Sequence, residues 1–139
     1  MTAEQVVRRH YQYFNDRRFD DAVNLIDPEA VFHTLPTRQR LVGVAGYRAL
    51  ASAWLHAFAD ARLEIQALRA RDQIVDVDFL GRGTHTGDLV LGDALSVPAT
   101  GLIIELPFHD RIEVRNDLIV KAELDFDEQA LRRHLVAGH

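Results

Sequence analysis

Leu102-Ile103-Ile104-Glu105-Leu106-Pro107-Phe108-His109-Asp110-Arg111-Ile112-Glu113-Val114-Arg115 reads as one long strand with a single buried face. Leu102, Ile104, Leu106, Phe108, Ile112 and Val114 alternate with Glu105, His109, Arg111, Glu113 and Arg115, the period of two that puts successive side chains on opposite faces of a sheet. Downstream, Asn116-Asp117 is a turn dipeptide that tolerates positive φ. It leads to a second strand with Val120, Ala122, Leu124 and Phe126 inward and then a tail helix over Asp127 to Leu135, with Asp127 as its N-cap. Upstream, the Gly- and Pro-rich stretch Gly87 to Gly101 reads as a loop. Before it, Val75, Val77 and Phe79 alternate with Asp76 and Asp78, and Leu63, Ile65 and Ala67 with Arg62, Glu64 and Gln66, joined by a turn at Asp72-Gln73.

Ahead of residue 62 the period is helical. Val7, Tyr11 and Phe14 form one stripe of a helix over residues 3 to 16, with Val6, His10 and Tyr13 beside it. A shorter helix runs from Asp20 to Ile26 and is stopped by Asp27-Pro28. Ala30 to Pro36 reads as a short strand. Gly43 to Phe58 then carries Tyr47, Leu50, Ala51, Trp54, Leu55 and Phe58 at helical spacing. Three helices followed by a meander of strands define an α+β protein, and a long curved sheet around helices leaves a cavity between them. At 139 residues the chain is expected to form a single domain over 1–139.

Composition narrows the function. With 47% hydrophobic and 27% charged residues the chain is of the globular class. The net charge of −5 argues against nucleic acid as a partner. No apolar run reaches the roughly 20 residues of a membrane span, and Met1 to Gln5 lacks a signal-peptide pattern, so the expectation is a cytoplasmic protein without membrane attachment. The absence of cysteine removes thiolate nucleophiles and cysteine metal sites. The histidines show no helical i, i+4 pair with a carboxylate, so no metal is expected. Ser52 and Ser96 lack a nucleophile-elbow context.

Val6-Val7-Arg8-Arg9-His10-Tyr11-Gln12-Tyr13-Phe14-Asn15, Ala30-Val31-Phe32-His33, Gly81-Arg82-Gly83-Thr84-His85-Thr86-Gly87 and Pro98-Ala99-Thr100-Gly101 together resemble the SnoaL-like polyketide cyclases of the NTF2-like superfamily. The resemblance spans nearly the whole chain, and its most specific pieces are the Gly-Thr-His-Thr-Gly run and the Pro-Ala-Thr-Gly turn. It implies a cone with a central pocket. It also implies cofactor-free ring closure by intramolecular aldol chemistry, in which a carboxylate removes a proton beside a carbonyl. Such chemistry needs an acid–base group in an apolar cavity, donors for the enolate oxygen and walls that hold a flat ligand.

Candidates follow from which polar residues share a face with apolar ones. Asp110 has the parity of Leu106, Phe108, Ile112 and Val114, and so points inward unless a bulge at Pro107 or His109 turns it out or it pairs with Arg111. His85 has the parity of Val75, Val77 and Phe79 and is flanked by glycines that let a ligand approach; it is either a chemical group or a structural donor. His33 resembles the family's polar position near the pocket mouth. Family members often carry an inward acid about two residues beyond Glu123. Here Asp125 is the nearest acid, a base if the strand is bulged and solvated if it is not, while Glu123 reads as surface charge. Tyr13, Tyr47, Trp54 and Phe58 are candidate walls for an apolar or aromatic ligand, with Tyr13 the best donor to an oxyanion.

Three readings stay open: a cyclase or isomerase using Asp110 or Asp125; a module that binds a small molecule without turnover; and an accessory oligomer joined through the polar outer sheet face, its pocket vestigial, while the resemblance makes a homodimer the default expectation for the chain. An epoxide hydrolase built from Asp110, Arg111 and Asp125 is the nearest enzymatic rival.

Overall fold

The computed structural model describes residues 1–136. The helical period of the N-terminal third forms α1 (Ala3–Asn15), α2 (Phe19–Ala22, continued by a 3-10 turn at Val23–Leu25) and, after two strands, α3 (Gly43–Ala57). α1 starts where Thr2 and Gln5 cap each other. The Thr2 hydroxyl accepts from the Gln5 N–H at 3.1 Å, and the Gln5 side-chain carbonyl accepts from the Thr2 N–H at 2.9 Å, which satisfies donors that a helix start leaves open. Its apolar stripe buries Val6, Val7, Tyr11 and Phe14.

The strands are β1 (Ile26–Thr34), β2 (Gln39–Val42), β3 (Arg62–Arg71), β4 (Ile74–Thr84), β5 (Leu89–Leu91), β6 (Leu95–Val97), β7 (Ile103–Arg115) and β8 (Leu118–Phe126), with α4 (Glu128–Val136) after them. Six form one sheet in the order β2-β1-β8-β7-β4-β3. The β1–β8 pair is parallel and the others are antiparallel, which makes the sheet mixed. Register shifts in β3 between Ile65 and Ala67, and in the β7–β8 pair at Glu113/Val114, insert extra residues. Bulges of this kind bend a strand, and the sheet curls around α1 and α3 without closing.

Three local expectations change, and one strand is unforeseen. Ile26 to Pro28 is not a helix end: Ile26 already pairs with Ile119, and the chain bulges before the parallel ladder resumes at Val31 and Lys121. β2 is an edge strand too short to show a period. Gly87 to Gly101 is not all loop, because Leu89, Leu91 and Leu95 are fully buried in the β5–β6 hairpin. In β8, Ile119 rather than Val120 takes the inward place opposite Val114, because Val120 is the extra residue of a bulge. The turns fall where the sequence puts them, with Asp72, Asn116 and Asp117 all at positive φ, and Asp127 caps α4 through its carboxylate on the Ala130 N–H at 2.9 Å. Among the described residues no helix is long and apolar enough to cross a membrane.

Candidate active site

Between the helices and the concave face of the sheet lies a cavity of about 120 Å³. α1 contributes His10, Tyr11 and Phe14; α3 contributes Tyr47, Leu50, Trp54 and its C-cap Phe58; β4 and β7 supply Phe79, Phe108 and Asp110; and α4 closes one wall with Leu131. The rings are mutually ordered. Phe79 and Phe108 stack at 5.1 Å, and Trp54 meets Phe108 and Phe126 edge-on at 5.6 and 5.7 Å. Gly81 and Gly83 make this possible, since a Cβ there would stand 2.8 Å from the Phe108 ring and 2.9 Å from Phe58.

Asp110 is the carboxylate of this cavity. The β4–β7 ladder runs without a shift from Ile103 to Glu113, so the alternation read from the sequence holds and Asp110 faces inward, only 8% exposed. The Tyr11 hydroxyl donates to its Oδ2 at 2.8 Å, while Oδ1 is buried without a partner. Burial raises the carboxyl from 3.8 to about 7, and the Tyr11 hydrogen bond and the His109 charge only partly oppose it. Burial and the adjacent Asp110 charge hold the Tyr11 hydroxyl well above its ordinary value, so it stays a donor. An acid balanced near neutrality can accept or give a proton at working pH. Because the Tyr11 bond favours the carboxylate, Tyr11→Phe is expected to raise the Asp110 pKa by about one unit, read by carboxyl-carbon NMR titration; an unchanged value would mean that the bond carries no such weight.

A family-level sequence profile of SnoaL-like polyketide cyclases matches residues 4–135. The chain belongs to this family. Solved structures agree on the fold of this SnoaL-like chain. A candidate SnoaL-like polyketide cyclase from Jannaschia sp. CCS1 is 15% identical, with a TM-score of 0.84 over 97% of this chain and 92% of that one. IdmH, a candidate polyketide cyclase from Streptomyces antibioticus, is 21% identical, with a TM-score of 0.81 over 97% and 99%. TerC, crystallised with polyporic acid, is 14% identical, with a TM-score of 0.75 over 96% and 97%. At these identities the likeness is one of fold. No curated protein matches the sequence.

Within the SnoaL-like cone the candidate residues separate. Trp54 and Phe58 line the cavity beside Asp110, and Tyr47 joins them. Asp125 does not. The bulge in β8 lies at Val120, and from Lys121 onward the pairing is regular, so Asp125 falls on the outer face, exposed, with Oδ1 accepting its neighbour Phe126's N–H at 3.0 Å. His85 is fully buried but stands behind Phe58, whose ring it stacks on at 5.1 Å, with Nδ1 on the Thr100 hydroxyl at 2.9 Å. It ties the end of β4 to the Pro98–Gly101 turn. His33 lies between the buried Phe32 and Thr34 and so on the opposite face of β1, away from the cavity. Tyr13 packs under the Arg18 guanidinium at 5.4 Å; two positions along a helix from Tyr11 it faces elsewhere, and the hydroxyl beside Asp110 is that of Tyr11.

The charges of the outer face pair among themselves: Arg111 with Asp76 at 3.0 Å, His109 with Asp76 and Asp78 at 3.1 and 2.9 Å, and Arg82 with Glu64 and Glu105 at 3.1 and 2.7 Å. Asp110, Arg111 and Asp125 therefore do not meet around one water, and the epoxide-hydrolase arrangement is absent. Sequence reasoning left Tyr11 and His10 as packing residues. Polar groups on the buried stripe of α1 were the available signal, by the same logic that singled out Asp110.

Proposed function

We propose that the chain catalyses cofactor-free acid–base chemistry on a small neutral ketone, with aldol-type cyclisation or isomerisation as the outcome and Asp110 as the proton-transfer group. The observation that carries this reading is one carboxyl held near neutrality in an aromatic cavity, with a hydroxyl fixed on one oxygen and the other free. In the ionised state Asp110 takes a proton from the carbon next to a carbonyl. The C–H electron pair forms the enolate, which either bonds to a second carbonyl of the same folded molecule or regains the proton at another carbon. Asp110, now neutral, returns the proton in both cases. The aromatic walls supply the shape that holds a flat substrate in a reactive fold. Family membership supports the polyketide-like class of ligand.

The test needs no knowledge of the physiological substrate. α-Proton exchange of 2-tetralone in D2O, followed by proton NMR, is expected to be accelerated by the protein, with a rate that rises with pH through about 7 as Asp110 ionises. Asp110→Asn is expected to lower it by on the order of 100-fold. If saturable binding of the ketone occurs without any exchange above buffer, the cavity binds ligands without turnover and the acid–base reading falls.

A further inference from the structure

Three more polar atoms on the same cavity are buried without partners, two of them His10 Nδ1 and the Tyr47 hydroxyl. These two belong to different helices, α1 and α3. Their rings lie 5.2 Å apart and inclined by 52°, and no hydrogen bond joins them. Both rings are fixed by packing. Tyr47 is held between Phe19 and Phe32 at 6.4 and 5.7 Å, and His10 abuts the Tyr11 ring edge-on at 5.7 Å. Burial keeps His10 neutral, lowered from 6.5 to about 4, and keeps the Tyr47 hydroxyl well above its ordinary value. At neutral pH each therefore carries one proton, on the phenol of Tyr47 and on one ring nitrogen of His10, and the ring can serve a ketone oxygen at this wall in the tautomer that places it on Nδ1. Unpartnered buried polar groups are costly to a fold, and neither of these two finds a hydrogen-bond partner within the protein. Trp54 Nε1 is a third such atom, but it lies seven residues along α3 from Tyr47, about 10 Å away at the helical rise.

Building on the enolisation reading, we propose that His10 and Tyr47 form a paired donor site for the carbonyl oxygen of a neutral ketone, and so hold its α-carbon against Asp110. When Asp110 takes the α-proton, the C–H pair becomes the C=C bond and the carbonyl π pair moves onto oxygen. The charge that develops there rests between the His10 N–H and the Tyr47 O–H, two fixed dipoles that add no net charge to the cavity. Return of the proton from Asp110 to carbon or to a new alkoxide restores both groups. The site selects an acceptor oxygen and has no cation to offer a carboxylate or phosphate.

Acetophenone and ethylbenzene differ at this oxygen and are close in shape. Titrations are followed by NMR of the indole N–H of Trp54, the single tryptophan of the sequence, at pH 8.5, where Asp110 is ionised and cannot itself donate. The native protein is expected to bind acetophenone roughly tenfold more tightly than ethylbenzene. Tyr47→Phe and His10→Phe are each expected to bring that ratio down severalfold while ethylbenzene affinity holds, and His10→Gln, which keeps a donor, to restore part of it. In the native protein, acetophenone and not ethylbenzene should move the His10 Nδ1 nitrogen resonance, a readout that survives if a variant fails to fold. A ratio near one in the native protein, a ratio unchanged in both phenylalanine variants, or a silent Nδ1 resonance overturns the proposal. Failure of the acid–base reading looks different: the oxygen preference persists while 2-tetralone exchange is absent.

Discussion

Replacing Asp110 with asparagine is expected to make the protein more stable at pH 8 by about 3–4 kcal/mol and to leave its stability at pH 4 nearly unchanged. The carboxyl titrates at 3.8 when unfolded and at about 7 when folded. Below 3.8 both states hold the proton. As pH rises from there, the unfolded chain releases it while the native state keeps it, so stability falls until the folded group ionises near 7. Asparagine keeps the shape and still accepts the Tyr11 hydrogen bond, but has no charge to bury. Urea unfolding at pH 4, 6 and 8 measures the effect. A gain independent of pH, or none at pH 8, would show that the carboxylate is comfortably solvated and the acid–base reading misplaced.

His10 runs in the opposite sense. Its pKa falls from 6.5 to about 4 on folding, so its contribution is present above 6.5 and lost as pH falls through 4. Between about 4 and 6.5 the two slopes oppose each other, and the native protein is expected to vary little there. Removing one group exposes the other: stability rises with pH across that window in Asp110→Asn and falls in His10→Phe.

Gly87→Ala is expected to cost about 3 kcal/mol or more, enough to threaten folding of a marginally stable domain. A Cβ at Gly87 would collide with the His56 carbonyl oxygen and stand 3.0 Å from its carbon, both backbone atoms that cannot swing aside. The contact is close because the Thr86 and Gly87 N–H groups both donate to the Ala57 carbonyl, at 3.0 and 3.1 Å, which binds the end of α3 to the chain leaving β4. Gly101→Ala is the matched control. Gly101 has a φ of 76° but nothing within 4 Å of a new Cβ, so the cost is the left-handed backbone alone, about 1–2 kcal/mol. Equal losses in the two variants would mean that conformation, not collision, dominates at Gly87.

These residues also show what could be read in advance. Asp110 was legible because the ladder from Ile103 to Glu113 is unbroken, and an uninterrupted period of two carries parity from Leu106 to Val114. Val120 was misread because one inserted residue makes Ile119 the inward neighbour of Val114, and nothing local in Leu118-Ile119-Val120 announces it. The Tyr11 hydroxyl on Asp110 could not be foreseen for another reason. A hydroxyl's partner is not encoded near it, and here the partner lies 99 residues away. β2, β5 and β6, of three or four residues each, are too short to show a period; their strand state comes from packing that buries Leu89, Leu91 and Leu95. The long elements and their order were visible because each repeats its pattern over several turns or alternations.

Leu131 on α4 lines the same cavity as the groups that handle protons, and this separates two kinds of inheritance. The acid and its hydroxyl are wired between α1 and β7, where the Tyr11 hydroxyl meets the Asp110 carboxylate at 2.8 Å. Between the aromatic walls of the chamber stand a few aliphatic side chains on α3 and α4, Leu50 and Leu131 among them, which can be exchanged for larger or smaller ones without touching that wiring. A lineage built this way can change its guests by drift at the walls and keep its chemistry.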